Sequence, residues 1–126
     1  MQVPQQLRYS RDHEWVSVEG TRAKVGITDY AQDALGDVVY VQVPTAGAAV
    51  KAGDSFGEVE STKSVSDVYA PVSGTVVAIN ATLADNPELL NSDPYGAGWL
   101  CEIECSDLVE IQSLLDAMAY QALIEG

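Results

Sequence analysis

Short runs of strand-forming residues, separated by glycines, recur along most of this chain. Residues 14–19 alternate apolar and polar side chains, as a half-buried strand does. Residues 22–27 and 38–43 are rich in apolar and β-branched side chains, and further turns are marked by Gly47 and Gly53. Short strands at this spacing predict an all-β sandwich or barrel.

Two segments depart from the strand pattern and predict helices. Thr28 is a suitable N-cap for a short helix over residues 29–35, and Gly36 would end it. Near the C-terminus, apolar residues recur at helical spacing, with Ser106 or Asp107 as the cap. These apolar residues are Leu108, Ile111, Leu114, Leu115, Met118 and Ala122. We expect one amphipathic helix that packs on the sheet; a helix that binds a partner's groove is the alternative.

The composition fits one folded domain over residues 1–126, because hydrophobic residues make up 47% of the chain. Six basic residues stand against nineteen acidic ones, and the net charge is −13. Nucleic acid and anionic membranes are therefore not expected as partners. Protein partners with basic surfaces fit this charge, and salt should weaken their association. No feature indicates an obligate interface, so we expect a monomer.

The sequence carries no recognisable targeting segment. No apolar run approaches the roughly 18 residues of a transmembrane helix. Residues 1–6 have neither the basic region nor the apolar region of a secretory signal. We therefore expect a cytoplasmic protein of bacterial type, or an organellar one only if a transit peptide has been removed.

Patterns of catalytic and metal-binding residues are missing. His13 is the single histidine, so neither a catalytic triad nor a zinc-protease helix has its usual partners. Residues 96–98 contain two glycines, but the N-terminus of a helix does not follow them, so they are a poor candidate for a phosphate-binding site. Cys101 and Cys105 would lie roughly 13 Å apart along a strand, too far for a disulfide. We expect buried free thiols and no catalytic centre.

Lys63 stands where the chain reverses between two strand-like runs, residues 56–60 and 65–69. Small hydroxyl residues surround it within residues 61–64, which leaves a primary amine open to a modifying enzyme. A rigid scaffold with a long flexible arm suits a carrier, because the scaffold restricts the search volume and the arm supplies reach. The alternative is a solubilising lysine on an ordinary turn.

A two-residue turn at Thr62 and Lys63 would place Glu58 opposite Asp67. Like charges at directly paired positions cost stability. Such a pair beside the lysine indicates recognition of a partner or a ligand, unless the true register differs.

Four motifs resemble the glycine cleavage system H protein family over about residues 7–120. They lie at residues 13–16 (His-Glu-Trp-Val), 25–37, 59–64 and 91–100. Biotin carriers usually place methionine on both sides of their lysine, whereas Thr62 and Ser64 stand here. Lipoyl domains of 2-oxoacid dehydrogenases share the lysine hairpin but are shorter, and they do not explain the N-terminal motif.

The resemblance implies a mainly β fold, the barrel-sandwich hybrid of lipoyl and biotinyl domains, with an N-terminal strand extension, a short helix and a C-terminal amphipathic helix. It implies a non-catalytic carrier with lipoate in amide linkage on Lys63. Its partners would be the P protein (a pyridoxal-phosphate glycine decarboxylase), the T protein (an aminomethyltransferase), the L protein (a dihydrolipoamide dehydrogenase) and a lipoate-attachment enzyme. The alternative is an H-like protein that relays lipoyl groups to other enzymes.

The resemblance further implies a cleft into which the loaded arm folds. The aminomethyl nitrogen is cationic near neutral pH, so carboxylates are its expected partners. Glu14, Asp12 and Asp67 are the candidates in this chain. Charge-assisted hydrogen bonds would favour docking, and exclusion of water would slow hydrolysis. The alternative is that these are three surface acids among nineteen.

Overall fold

Nine strands in two sheets make up most of the structure, a computed structural model that describes all 126 residues. The strands are β1 (Arg8–Tyr9), β2 (Glu14–Glu19), β3 (Arg22–Ile27), β4 (Val38–Gln42), β5 (Ala49–Val50), β6 (Ser55–Ser61), β7 (Val65–Tyr69), β8 (Gly74–Ile79) and β9 (Cys101–Cys105). Six of them form a sheet in the order β1-β2-β3-β9-β8-β5, and β4-β6-β7 form a second sheet. All the pairings are antiparallel, so short turns can join neighbouring strands.

Helices are short and lie between or after the strands. They are α1 (Asp29–Leu35), α2 (Leu89–Ser92), α3 (Val109–Gln112) and α4 (Ala117–Glu125), with a 3₁₀ turn at Ala81–Ala84. None of these helices combines the length and the hydropathy that a membrane-spanning segment requires. The predicted mainly β fold with flanking helices is confirmed, and its strands are arranged as two sheets rather than one closed barrel.

The N-terminal half follows its sequence signals closely. The predicted strands at 14–19 and 22–27 coincide with β2 and β3, and the predicted helix at 29–35 coincides with α1. Thr28 caps that helix, because its hydroxyl accepts a hydrogen bond from the Ala31 amide. Gly36 ends it with φ of 82°, a conformation that glycine adopts at little cost.

The C-terminal segment ends in a helix as expected, but the prediction of one continuous helix is wrong. Between α3 and α4 the chain becomes extended, and Leu115 exchanges two backbone hydrogen bonds of 2.8 Å with Tyr9. Asp116 then caps α4 by accepting from the Ala119 amide. This restart changes the buried side of the helix, so Met118 of the predicted stripe is 83% exposed while Tyr120 is fully buried.

Three apolar clusters form the core. The first joins β3 and the second sheet to α2, and it contains Ile27, Val38, Val41, Val59, Val68, Leu83, Leu90 and Leu100. The second lies on the larger sheet around Val25, Val76 and Ile103, and Phe56 packs against both. Burial of each such side chain stabilises the fold by about 1.5–3 kcal/mol. The third cluster, Leu7, Tyr9, Trp15 and Tyr120, fixes the N-terminal extension to α4.

Both cysteines are free thiols on the core side of β9, as predicted. Cys101 is buried and Cys105 is partly buried. Burial raises the pKa of Cys101 to about 12. A thiol that stays protonated is a poor nucleophile, so the structural role predicted for this residue holds.

Candidate functional site

The hairpin of β6 and β7 places Lys63 at its exposed tip. Its register pairs Glu60 with Val65 and Glu58 with Asp67, so the predicted opposition of two acidic residues is confirmed. Thr62 and Lys63 are the two residues of the turn. The lysine amine therefore projects from the end of a paired strand rather than from a long loop.

The Ser61 hydroxyl closes this turn. It accepts hydrogen bonds from the amides of Lys63 (3.3 Å) and Ser64 (3.1 Å), and the Ser61 amide donates to the Ser64 carbonyl at 2.8 Å. Ser61 is buried, whereas Thr62 and Ser64 are exposed. Of the hydroxyl residues expected to leave the amine open, Thr62 and Ser64 do so, and Ser61 instead holds the backbone.

The tip of the hairpin also rests on the junction between α1 and β4. The Thr62 amide donates to the Asp37 carbonyl at 3.0 Å. The Lys63 side chain lies over Gly36, where a Cβ atom would come within 3.1 Å of the lysine Cε atom. A small residue at position 36 therefore leaves space for the lysine methylenes.

Asn91 of α2 fixes this junction from behind. Its carbonyl oxygen accepts from the Val38 amide at 2.9 Å, and its amide group donates to the Gly36 carbonyl (2.9 Å) and to Gln32 Oε1 (3.0 Å). Sequence reasoning did not identify Asn91 as part of the site. The one indication in the sequence was that Asn91 begins the fourth motif. Its contact partners could not be identified from the sequence, because they are more than fifty residues away.

Glu14 is a buried carboxyl group at the start of β2, with only 2% of the residue exposed. The Ser10 hydroxyl donates to Oε1 at 2.5 Å, and the Tyr69 amide donates to Oε2 at 3.3 Å. Burial raises the pKa of Glu14 to about 8, although both hydrogen bonds favour the carboxylate. The exposed Asp12 nearby raises the pKa further, so the group is mostly protonated at pH 7.

Strand β7 connects the two regions. Lys63 lies two residues before the first residue of β7. Tyr69 is the last residue of β7, and its amide donates to the Glu14 carboxyl. Asp67 lies two residues before Tyr69, so both side chains stand on the same face of the strand. β7 is an edge strand of the smaller sheet. The structure thus brings Asp12 and Glu14 together at one end of β7, places Asp67 on the strand and Lys63 at the other end.

Residues 7–126 match the family model described as glycine cleavage H-protein. The chain belongs to the glycine cleavage H-protein family. It is 58% identical to the glycine cleavage system H protein of Mycobacterium avium, over 97% of this chain and 96% of that one. It is 52% identical to the corresponding protein of Myxococcus xanthus, over 98% and 96%.

A solved structure agrees with this membership. The crystal structure of a glycine cleavage system H protein from Mycobacterium marinum superposes with a TM-score of 0.90 at 42% identity, covering 98% of this chain and 100% of that chain. The family resemblance inferred from the four motifs is therefore confirmed.

Several motif residues of this family member are structural. The Trp15 indole donates to the Pro94 carbonyl at 2.9 Å and lies so close to Gly26 that a Cβ atom there would come within 2.5 Å of the ring. The Tyr95 hydroxyl accepts from the Asp29 amide at 3.0 Å. Three of the four motifs thus meet around β2, and they fix the strand that carries Glu14.

Proposed function

We propose that this chain is the lipoylated carrier of the glycine cleavage system, with lipoate in amide linkage on Lys63. When attached, lipoate would supply a disulfide that accepts the aminomethyl group of glycine at the P protein as carbon dioxide leaves. The T protein would transfer the methylene to tetrahydrofolate and release ammonia, which leaves a dithiol. The flavin-dependent L protein would accept the two electrons that reoxidise this dithiol to the disulfide. The observation that carries the proposal is the exposed Lys63 on a rigid two-residue turn.

The residues around Lys63 fit such an arm. Thr62 and Ser64 expose only short side chains, and Gly36 offers no side chain below the lysine methylenes. Turn amides donate hydrogen bonds to the Ser61 hydroxyl and the Asp37 carbonyl, and these bonds hold the turn while the Lys63 side chain stays exposed. A fixed base and a mobile arm give each partner site a high effective concentration of the cargo.

Glu14, with Asp12 and Asp67 as exposed neighbours, is proposed to hold the cationic aminomethyl cargo. A cation within hydrogen-bonding distance favours the carboxylate form of Glu14. Since the pKa of Glu14 is about 8 in the empty protein, binding of the cargo would release a proton. Retention of the cargo should therefore strengthen as the pH rises towards 8.

The outer face of the smaller sheet is proposed as the contact surface for partner enzymes. Two rows of paired residues cross it beside the turn: Tyr40-Glu60-Val65 and Gln42-Glu58-Asp67. We call these six residues the outer acidic face. Tyr40 is 53% and Val65 is 59% exposed, and no basic residue lies in either row. Basic surfaces with an apolar centre would complement this face.

Reconstitution of glycine decarboxylation with P, T and L proteins tests the proposal. Lys63→Arg should abolish turnover, because arginine keeps the charge but cannot form the amide. Lys51→Arg is the matched control, since Lys51 is also an exposed lysine beside a turn, and it should retain wild-type turnover. Equal turnover by the two variants would overturn the proposal. A lipoylated wild-type protein that supports no turnover would instead favour a relay of lipoyl groups to other enzymes.

A further inference from the structure

The turn before Glu14 contains a backbone conformation that costs free energy. His13 has φ of 71° and is the one residue other than glycine with positive φ. Its amide donates to the Ser10 carbonyl at 3.3 Å, and its carbonyl accepts from the Thr28 amide at 3.1 Å. A residue remains in this region only where its surroundings hold it there.

Tyr120 of α4 provides the polar contact to the His13 ring. Its hydroxyl lies 2.8 Å from His13 Nδ1 and 2.7 Å from Thr28 Oγ1, so it can donate to one and accept from the other. Tyr30 packs against the imidazole at a centroid distance of 4.7 Å. Burial lowers the pKa of His13, so the ring is neutral at pH 7 and keeps one nitrogen able to accept.

The His13 backbone and the Glu14 carboxyl are joined through Ser10. The Ser10 carbonyl binds the His13 amide, while the Ser10 hydroxyl accepts from the Glu14 amide (3.1 Å) and donates to the Glu14 carboxyl (2.5 Å). A change in the His13 backbone would therefore move the Ser10 hydroxyl away from the carboxyl. Asp12 on this turn is the titratable group whose charge acts on Glu14, and the pKa of Tyr120 on α4 is raised by burial and, to a smaller extent, by Glu14.

We propose that Tyr120 is a positioning residue, which holds the turn at residues 10–14 through His13 so that the Glu14 carboxyl faces the aminomethyl cargo. This inference rests on the proposed function of Glu14. It gives α4 a part in the site, although α4 is more than a hundred residues from Glu14 in the sequence.

Two buried tyrosines make a matched pair for the test. Tyr120 and Tyr9 are both fully buried and stack on each other at 4.5 Å, but the Tyr9 hydroxyl donates to the Pro4 carbonyl. Tyr120→Phe and Tyr9→Phe each remove one buried hydroxyl, and only the first removes the contact to His13. His13→Asn is a second variant, because asparagine tolerates positive φ but lacks the imidazole.

The first measurement is the ¹³C NMR titration of the Glu14 carboxyl in the full unlipoylated chain. Without the hydrogen bond between Tyr120 and His13, water should reach the turn at residues 10–14 and solvate the Glu14 carboxylate. Tyr120→Phe and His13→Asn should therefore lower the midpoint of the Glu14 titration by about 0.5 pH units or more. The second is the half-life of the aminomethyl-loaded protein at pH 7.5, which both variants should shorten roughly threefold or more. Tyr9→Phe should match the wild type in both measurements.

Each outcome separates this inference from the proposed function. Equal Glu14 midpoints for Tyr120→Phe and Tyr9→Phe would overturn the positioning role. The positioning role would also be overturned if Glu14→Gln shortens the half-life of the loaded protein and Tyr120→Phe does not. If Glu14→Gln itself leaves the half-life unchanged, the proposed role of Glu14 in holding the cargo is wrong. The titration then still decides whether Tyr120 positions the Glu14 carboxyl. If Tyr120→Phe does not fold, His13→Asn decides by the same criteria.

Discussion

The Lys63 turn and the Glu14 turn lie at opposite ends of β7 and are held in different ways. The first is closed mainly by hydrogen bonds within residues 61–64, with one further bond from the Thr62 amide to the Asp37 carbonyl, and it leaves its functional side chain exposed. The second depends on Tyr69, Thr28 and Tyr120, which are distant in the sequence, and its functional side chain is buried.

This difference fits the two tasks proposed for the regions. An attachment site must be reached by several enzymes, so a turn that is held mainly by its own residues and leaves its side chain exposed is sufficient. A site that keeps water from a labile cargo must be enclosed on several sides, so it needs residues from several separate elements. The following substitutions test whether the two regions differ in this way.

Glu14→Gln should have the largest effect on stability, and the effect should depend on pH. Since the pKa of Glu14 is raised from 4.5 to about 8 on folding, the unfolded chain loses this proton first as the pH rises. Stability is therefore lost between pH 4.5 and 8, by roughly 3–5 kcal/mol at most. The neutral glutamine should lack this loss. Urea unfolding at pH 5 and pH 8.5 measures it.

The matched control for Glu14 is Glu19→Gln, at the exposed end of the same strand. It should keep the pH dependence of the wild type. If Glu14→Gln and Glu19→Gln show the same pH dependence, Glu14 is not the buried neutral acid described above, and the contrast between the two regions fails.

Ser61→Ala should destabilise the protein by about 1–2 kcal/mol, because two amides of the turn lose their acceptor. Lipoylation of Lys63 should also slow down, since the attachment enzyme would meet a less ordered turn. Ser64→Ala, at the other side of the turn, removes an exposed hydroxyl and should change stability by less than about 0.5 kcal/mol. Denaturant midpoints and initial lipoylation rates compare the two serines. Similar results for both would show that the turn is not closed by Ser61.

Glu58→Gln should have the smallest effect on stability, and unlike Ser61→Ala it should stabilise the protein. Removal of the like charge opposite Asp67 should stabilise the hairpin by about 0.2–1 kcal/mol. Glu60→Gln, which faces Val65 instead, should leave stability unchanged. Both should weaken partner binding, because both remove a charge from the outer acidic face. A Glu58→Gln variant that is less stable than the wild type would contradict the repulsion.

The sequence was sufficient for those features that depend on neighbouring residues. The bounds of β2, β3 and α1, the two-residue turn at Lys63 and the register of Glu58 with Asp67 follow from alternation, caps and turn residues. The family motifs pointed to Glu14 as well. They did not reveal that this carboxyl is buried and its pKa raised, because its burial comes from the packing of distant segments.

The C-terminal helix shows the same limit. Its apolar period predicted one helix, yet the extended bridge between Leu115 and Tyr9 interrupts it. At this position, two backbone hydrogen bonds to β1 and the cap by Asp116 replace the hydrogen bonds of a continuous helix. The local sequence does not predict these bonds, because it contains no information on where β1 lies. Tyr120, which contacts His13, lies on the helix that begins after this interruption.

The proposed carrier function depends on lipoate at Lys63, and intact mass followed by peptide mapping detects this modification. The protein would be produced in a lipoate-supplied host with an active attachment pathway, beside a known lipoyl protein as the control. We expect one lipoyl adduct per chain, located on Lys63. An unmodified Lys63 beside a fully lipoylated control protein, or an adduct on another lysine, would show that Lys63 is not the site of attachment.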